Sequence, residues 1–337
     1  INALSYYQGM SSFFYSWIIG IFYSLFGRSI LMTQSIGLLV GVGSVFLVWW
    51  LAKKIWDDGT AIKAGWIVAL FPSLILYSVL PLREVYSSFF LLVVALGIFH
   101  WIKTSSNNSL ILVIFGFVGA AFFHGPLIFG AIIFLLIVLL NALKQTFKSL
   151  SSSRLNLQSF IIIILGVSFI YAFLANKIYV PKIGYFDEMK IGNLLNESKA
   201  RMIGSASYNE FFKVSSNEEF IYKIPLKVMY FLFSPFPWDV KKLTHIIGML
   251  DGFLYIFLAY LILKNLKTIL KDPFLRIILI ILICYFVMYA IGVSNFGAGL
   301  RHRTKFVMLM VLLAGPFIPN LVFVSKNTLS KTFKNKS

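Results

Sequence analysis

Residues 30–52, ILMTQSIGLLVGVGSVFLVWWLA, contain no charged side chain over a stretch long enough to cross a membrane. A helix rises about 1.5 Å per residue, so about 20 apolar residues cover the hydrocarbon of a bilayer. Runs of this kind recur and predict an all-α fold, a polytopic transmembrane helical bundle of about nine spans. The predicted spans are 30–52, 61–81, 85–102, 109–123, 126–143, 157–176, 246–263, 274–293 and 304–324.

The composition agrees with a chain that has the membrane as its solvent. Of 337 residues, 59% are hydrophobic and 12% are charged, and this excludes a water-soluble globule. The chain contains no Gly-rich nucleotide loop and no metal-ligand spacing, so no cofactor is required, although a divalent metal stays possible. We expect membrane lipids as partners and no nucleic acid. The single cysteine, Cys284, cannot form a disulfide within one chain.

Two further apolar stretches, 10–27 and 225–234, are predicted as re-entrant or interfacial helices. The first is rich in aromatic residues, which suits the membrane interface, but its pattern leaves open whether it crosses. The chain begins at Ile1 rather than at a methionine, and we expect the natural N-terminus to lie upstream.

The distribution of lysine and arginine predicts the orientation, because cytoplasmic loops carry an excess of these residues. Fifteen of them alternate onto one side of the predicted bundle: Lys53, Lys54, Lys63, Lys103, Lys144, Lys148, Arg154, Lys264, Lys267, Lys271, Arg276, Lys326, Lys331, Lys334 and Lys336. Five occupy the short loops of the other side: Arg28, Arg83, Arg301, Arg303 and Lys305. The first side, with the C-terminus, is therefore predicted to be cytoplasmic and the second extracytoplasmic.

The chain divides into three regions. Residues 1–176 and 246–337 are helical membrane regions, and 177–245 form one large extracytoplasmic loop. That loop closes on a rigid corner, residues 234–239, where two prolines deny the backbone hydrogen-bond donors. Trp238 in this corner suits either the membrane interface or stacking on a sugar ring.

Several polar residues, which cost free energy near the hydrocarbon of a membrane, are predicted to lie together on the extracytoplasmic side. Arg83 and Glu84 interrupt the apolar segment 71–92, where ionisable groups usually face a partner or a cavity. His124 lies at a helix-breaking turn before Gly125 and Pro126. Each of these residues could instead be structural.

The segment 295–305, NFGAGLRHRTK, is the strongest candidate for a ligand site. It is predicted as a loop in which two glycines permit close approach, followed by Arg301, His302, Arg303 and Lys305. Arginine forks match phosphate oxygens in bidentate fashion. A basic cluster can also anchor a helix among lipid headgroups, but such clusters favour the cytoplasmic face. The pattern favours binding of a phosphorylated, lipid-linked ligand.

The order of these motifs resembles the GT-C superfamily of integral-membrane glycosyltransferases, in particular the protein O-mannosyltransferase and aminoarabinose transferase-like family of bacterial surface-polysaccharide enzymes. The resemblance covers most of the chain. It rests on YYQGMSSFFYSWIIGIFYSLFGRS (6–29), LAKKIW (51–56), FPSLILYSVLPLREVY (71–86), PFPW (235–238) and GAGLRHRTKF (297–306).

The resemblance implies transfer of a sugar from a polyprenyl-phosphate carrier to a glycan, lipid or protein acceptor outside a bacterial inner membrane. It places the main catalytic acid in a loop that would precede Ile1, and it associates Glu84 with the active site. Arg301 and Arg303 would bind the leaving phosphate, with His302 and Lys305 in support. The alternatives are a polysaccharide repeat-unit polymerase or ligase, which shares this chemistry, and less favoured, a transporter or non-catalytic membrane protein.

Overall fold

The computed structural model describes residues 10–104, 106–151, 157–175, 206–208 and 217–320. Every regular element in those ranges is helical, and an isolated antiparallel bridge pairs Ser207 with Asn295. The all-α prediction is confirmed for this part of the chain. Of the predicted loop 177–245, residues 177–205 and 209–216 lie outside the described residues.

The described residues form fourteen α-helices, which we number in chain order. They are α1 Met10–Phe26, α2 Ile30–Ile55, α3 Asp58–Leu70, α4 Pro72–Val79, α5 Glu84–Thr104, α6 Asn107–Phe123, α7 Ile128–Ser151, α8 Leu157–Leu174, α9 Asn217–Phe233, α10 Leu243–Lys264, α11 Leu266–Lys271, α12 Pro273–Gly292, α13 Phe296–Arg303 and α14 Val307–Ala314. Short 3₁₀ turns occur at Gly125–Leu127, Pro237–Asp239, Thr304–Phe306 and Gly315–Phe317.

Five helical segments within the described ranges are long and apolar enough to cross a membrane. They are Ile30–Ile55, Glu84–Thr104, Gly125–Ser149, His245–Lys264 and Pro273–Gly292. Each coincides with a span predicted from the sequence. The chain is thus compatible with an integral membrane protein that has at least this set of spans.

The predicted span 61–81 is broken rather than continuous. Helices α3 and α4 meet at Phe71 with a bend of 56°, and Pro72 is the first residue of α4. Proline has no backbone N–H and its ring clashes with the preceding helical turn, so the helix ends before it. The pair counts as one bent span or a re-entrant segment.

The helical structure of the predicted span 304–324 starts at a different residue from the one predicted. The helical structure begins earlier, at Phe296, because Asn295 caps α13 by accepting a hydrogen bond from the Ala298 N–H at 2.7 Å. It then passes through a 3₁₀ turn into α14 and ends near Pro316. The basic segment that was predicted to be a loop therefore lies on a helix.

The remaining predicted spans, 109–123 and 157–176, correspond to apolar helices shorter than a full crossing, and so does the stretch 10–27. Helix α1 packs on α6, where the rings of Phe14 and Phe122 stack at 4.9 Å. The membrane crossing of 109–123 and 157–176 and the re-entrant or interfacial placement of 10–27 stay predictions.

Small residues let α5 and α6 pack closely, as they do in many membrane helix pairs. A Cβ atom added to Gly97 would lie 2.8 Å from the backbone nitrogen of Val113, and one added to Gly116 would lie 2.8 Å from that of Val94. Because the obstacle is backbone, no side-chain rotation can relieve it. This packing fixes the central turns of α5 against those of α6.

We expect Gly97→Val to lower the free energy of unfolding by about 1–3 kcal/mol, the usual cost of overpacking a core. Thermal unfolding of the purified chain measures the effect. Gly20→Val is the matched control, because Gly20 is also helical and has open space around its Cβ position. Equal stability of the two variants would contradict the close packing of α5 on α6.

The predicted alternation of loops between two ends of the bundle agrees with the helix packing. Tyr86 at the start of α5 stacks on Phe123 at the end of α6, with ring centroids 5.0 Å apart. At the other end, Trp56 after α2 donates to Leu312 O at 3.0 Å, and Lys63 donates to Ile318 O at 2.8 Å. The assignment of this second end to the cytoplasm stays a prediction.

Labelling of single cysteines tests that orientation. In a Cys284→Ala background, we expect a cysteine at Lys148 to react with an impermeant thiol reagent only from the cytoplasmic side. A cysteine at Trp238, whose side chain is exposed, should react only from outside. Labelling of both positions from one side would overturn the topology.

Candidate functional site

The first residue of α5, Glu84, is a fully buried carboxylate. Arg301 of α13 donates from Nε to Glu84 Oε1 at 2.6 Å, and Lys305 Nζ lies 3.7 Å from the same oxygen. Oε2 has no hydrogen-bond partner among the described residues. A buried carboxylate needs compensating cations, and the amino end of a helix adds favourable potential. Glu84 thus joins α5 to the basic segment of the chain.

Arg301 is the cation that remains partly open to its surroundings. Its side chain is 35% exposed, whereas Lys305 is fully buried. Only Nε is engaged, by Glu84, and the terminal nitrogens donate no hydrogen bond to any described residue. No described residue therefore occupies the outer edge of the guanidinium, and a ligand can bind there.

Two histidines and a tyrosine extend the site. The buried His124 ends α6, and its Nδ1 shares a hydrogen bond of 2.9 Å with the hydroxyl of Tyr289. Lys305 Nζ lies 2.8 Å from His302 Nδ1, and because an ammonium can only donate, Nδ1 accepts. The rings of His124 and His302 lie 5.0 Å apart, edge to face. These contacts link α6, α12 and α13.

Arg83 adds a further cation beside the carboxylate. Burial lowers the pKa of Arg83 from its ordinary value, nearby Arg301 lowers it further, and Glu84 opposes both. An arginine side chain is not deprotonated in proteins, so Arg83 remains a cation. We call the whole group the Glu84 cluster: Arg83, Glu84, His124, Tyr289, Arg301, His302 and Lys305.

The Glu84 cluster has an excess of positive charge. Its one carboxylate is faced by the cations Arg83, Arg301 and Lys305. Fixed cations in a site of low dielectric attract an anion more strongly than they would in water. The exposed arginine fork matches the oxygens of a phosphate or of a carboxylate.

Arg303 does not join the cluster, which corrects its assignment to phosphate binding. It is fully buried, and its terminal nitrogens point to protein acceptors. They donate to Leu232 O at 2.7 Å, Ser234 O at 2.6 Å, Gly248 O at 3.2 Å and Asp251 Oδ2 at 2.9 Å. Arg303 therefore joins α13 to α9 and α10, and no terminal nitrogen is left for a ligand.

Trp238 also lies apart from the cluster. Its indole stacks on Phe236 at 4.9 Å and donates from Nε1 to the Tyr230 hydroxyl at 2.9 Å. The side chain is 71% exposed. Its described contacts hold the corner 234–239 together, and they leave one ring face at the surface. The sugar-stacking hypothesis for Trp238 stays a prediction.

Two important residues were missed from the sequence. Asp251 is the one acid within the predicted span 246–263, and an isolated carboxylate in an apolar run is a signal that could have found it. Besides Arg303, it accepts a hydrogen bond from the Ser73 N–H at 3.2 Å. Tyr289 gives no such signal, because aromatic residues are common in apolar helices of this chain.

The described residues contain no group of three or more His, Cys, Asp or Glu side chains that could hold a metal ion. The expectation that no metal is required stays a prediction. No family model, curated protein or solved structure matches the chain.

Proposed function

We propose that the chain is a membrane glycosyltransferase of the GT-C type. It moves a sugar from a polyprenyl-phosphate donor to a glycan, lipid or protein acceptor on the extracytoplasmic face. The observation that carries the proposal is that Arg301 uses one of its three side-chain nitrogens for a contact within the described part of the protein. Its Nε is held by the buried Glu84, while its terminal nitrogens, at the edge of a positively charged site, donate to no described residue.

In this reaction the bond between the anomeric carbon and the phosphate oxygen breaks, and a bond from the acceptor oxygen to that carbon forms. The polyprenyl phosphate leaves with one more negative charge on its oxygens. Arg301 donates to that phosphate, and Lys305 adds positive potential behind it. Cations held in place before the reaction stabilise such developing charge without reorganisation.

Glu84 acts by orienting Arg301 and compensating Lys305. Its Oε1 is held by these two cations and its Oε2 is buried, so we assign the main base to another residue. The acceptor still needs a carboxylate to take its proton. The resemblance assigns that role to an acidic residue of the first extracytoplasmic loop of the family.

A polysaccharide polymerase or ligase is the competing enzyme, and it would use the same cations on a different donor. The two are separated by offering the purified full-length protein either a polyprenyl phosphate carrying one sugar or a lipid-linked repeat unit. We expect transfer from the first donor. Elongation of the second donor with no use of the first would replace this proposal by the polymerase.

A further inference from the structure

A polar cavity lies at the end of the bundle opposite the Glu84 cluster. It has a volume of about 550 Å³ and is bounded by the last turns of α5, by α7 and α8, and by the start of α12. Trp101, which lines it, is 17 residues beyond Glu84 on the same helix, a distance of about 25 Å along the axis. The cavity is therefore separate from the site described above.

Two cations line this cavity without a carboxylate partner among the described residues. Lys144 and Arg276 are both exposed, and Arg276 makes only a long hydrogen bond of 3.4 Å, to Leu270 O. The acid nearest in sequence, Asp272, accepts from the Leu275 N–H at 2.9 Å and so caps α12. No carboxylate of the described residues therefore neutralises the positive charge at the cavity.

Neutral polar groups stand beside the two cations. The buried Ser159 donates to Gln145 Oε1 at 3.0 Å, and this occupies the acceptor end of the glutamine amide. The amide nitrogen of Gln145 and the side chain of Asn141 then supply donors at the same cavity. Uncharged donors next to fixed cations suit the oxygens of a phosphodiester.

The rest of the cavity wall is apolar. Ile137, Val138, Ile162, Ile277 and Ile280 line it. A free inorganic anion gains nothing from such a wall, whereas the first methylene groups of an acyl chain do. Basic pockets between helices, at the end of the bundle rich in lysine, fit anionic lipid headgroups.

We propose that this cavity binds one anionic phospholipid, with the headgroup phosphate on Lys144 and Arg276 and the start of an acyl chain on the apolar wall. The site holds a structural or regulatory lipid at the face that the charge distribution predicts to be cytoplasmic. It does not depend on the enzymatic activity proposed for the Glu84 cluster.

Native mass spectrometry of the full chain, titrated with phosphatidylglycerol, tests the proposal. We expect one tightly retained lipid on the unaltered protein, and roughly tenfold or more weaker retention after Lys144→Ala with Arg276→Ala. The control is Lys267→Ala with Lys271→Ala, which removes the same charge from exposed positions on α11 outside the cavity. Lipid retention by this control should stay within about twofold of that by the unaltered protein. Positive charge near the end of the bundle but outside the cavity is not sufficient to hold the lipid.

A variant that keeps both cations tests the apolar half of the site. Ile280→Trp narrows the cavity from an exposed position, so it should weaken retention while the protein stays folded. Phosphatidylcholine should be retained less, and inorganic phosphate should not displace phosphatidylglycerol. Three results would each overturn the lipid site. They are equal losses of lipid retention in the two double variants, unchanged retention after removal of Lys144 and Arg276, and displacement of phosphatidylglycerol by inorganic phosphate.

Discussion

Glu84→Gln should lower the rate of sugar transfer roughly a hundredfold or more. The amide is nearly the same size as the carboxylate, but it no longer holds Arg301 by a charged hydrogen bond of 2.6 Å. It also leaves Lys305 buried beside no carboxylate. The loss expected when a preorganised stabilising group is removed is of this order. Transfer from a polyprenyl-phosphate donor, per folded protein, is the quantity to measure.

The loss of charge at Glu84 also affects stability, so a second variant is required. Glu84→Gln with Lys305→Met removes both members of the buried pair and should recover most of the stability, because neither charge is left alone. Transfer should stay low, since Arg301 is still not oriented. Recovery of transfer in the double variant would show that Glu84 only balances Lys305.

Arg303→Ala should abolish the folded protein rather than the chemistry. Four buried acceptors, one of them the charged carboxylate of Asp251, would be left without their donor. Removal of one partner of a buried ion pair typically costs about 3–5 kcal/mol, a large part of the stability of a protein. We expect the variant to be nearly absent from the membrane, as measured by its abundance in isolated membranes.

Arg301→Ala is the matched control for Arg303→Ala, because both arginines lie on α13. Its side chain is one-third exposed, and among the described residues it donates to Glu84 alone, so the abundance of the protein should fall much less. If the two alanine variants accumulate equally, Arg303 does not have the structural role assigned here.

The opposite roles of Arg301 and Arg303 show where sequence reasoning failed. Both were assigned to the leaving phosphate because they lie in one basic cluster of the segment 295–305, which was predicted to be a loop at the start of the last span. On a helix, positions two apart lie about 200° apart around the axis and face opposite sides. Arg301 and Lys305, four apart, share a side. The capping residue Asn295 was a visible signal of that helix.

The helical class and most of the site followed from simple physical constraints. Apolar runs of membrane length fix the class, and ionisable groups next to them are costly enough to be found together. Arg83, Glu84, His124, Arg301, His302 and Lys305 were predicted to share one side, and the structure brings their side chains into one cluster. The partners chosen by each buried side chain, such as Asp251 for Arg303, depend on helix packing that one sequence does not specify.

The break at Pro72 has a similar explanation. The hydropathy of 61–81 is high enough for one span, and that average conceals a residue that cannot continue a helix. The short helices α6 and α8 likewise have membrane-like composition with less than the usual length. Composition predicts whether a segment lies in the membrane better than it predicts where its helix bends or ends.

The most direct test of the central claim is sugar transfer from a polyprenyl-phosphate donor by full-length Arg301→Lys protein. A lysine at this position carries one ammonium, which can contact Glu84 or the leaving phosphate but lacks the fork that serves both. We predict a rate ten- to a hundredfold lower, equivalent to about 1.4–2.7 kcal/mol of transition-state stabilisation, with near-normal abundance in the membrane. Transfer at the unaltered rate by the lysine variant would contradict the account, because Arg301 would then supply only charge and the phosphate would be bound elsewhere.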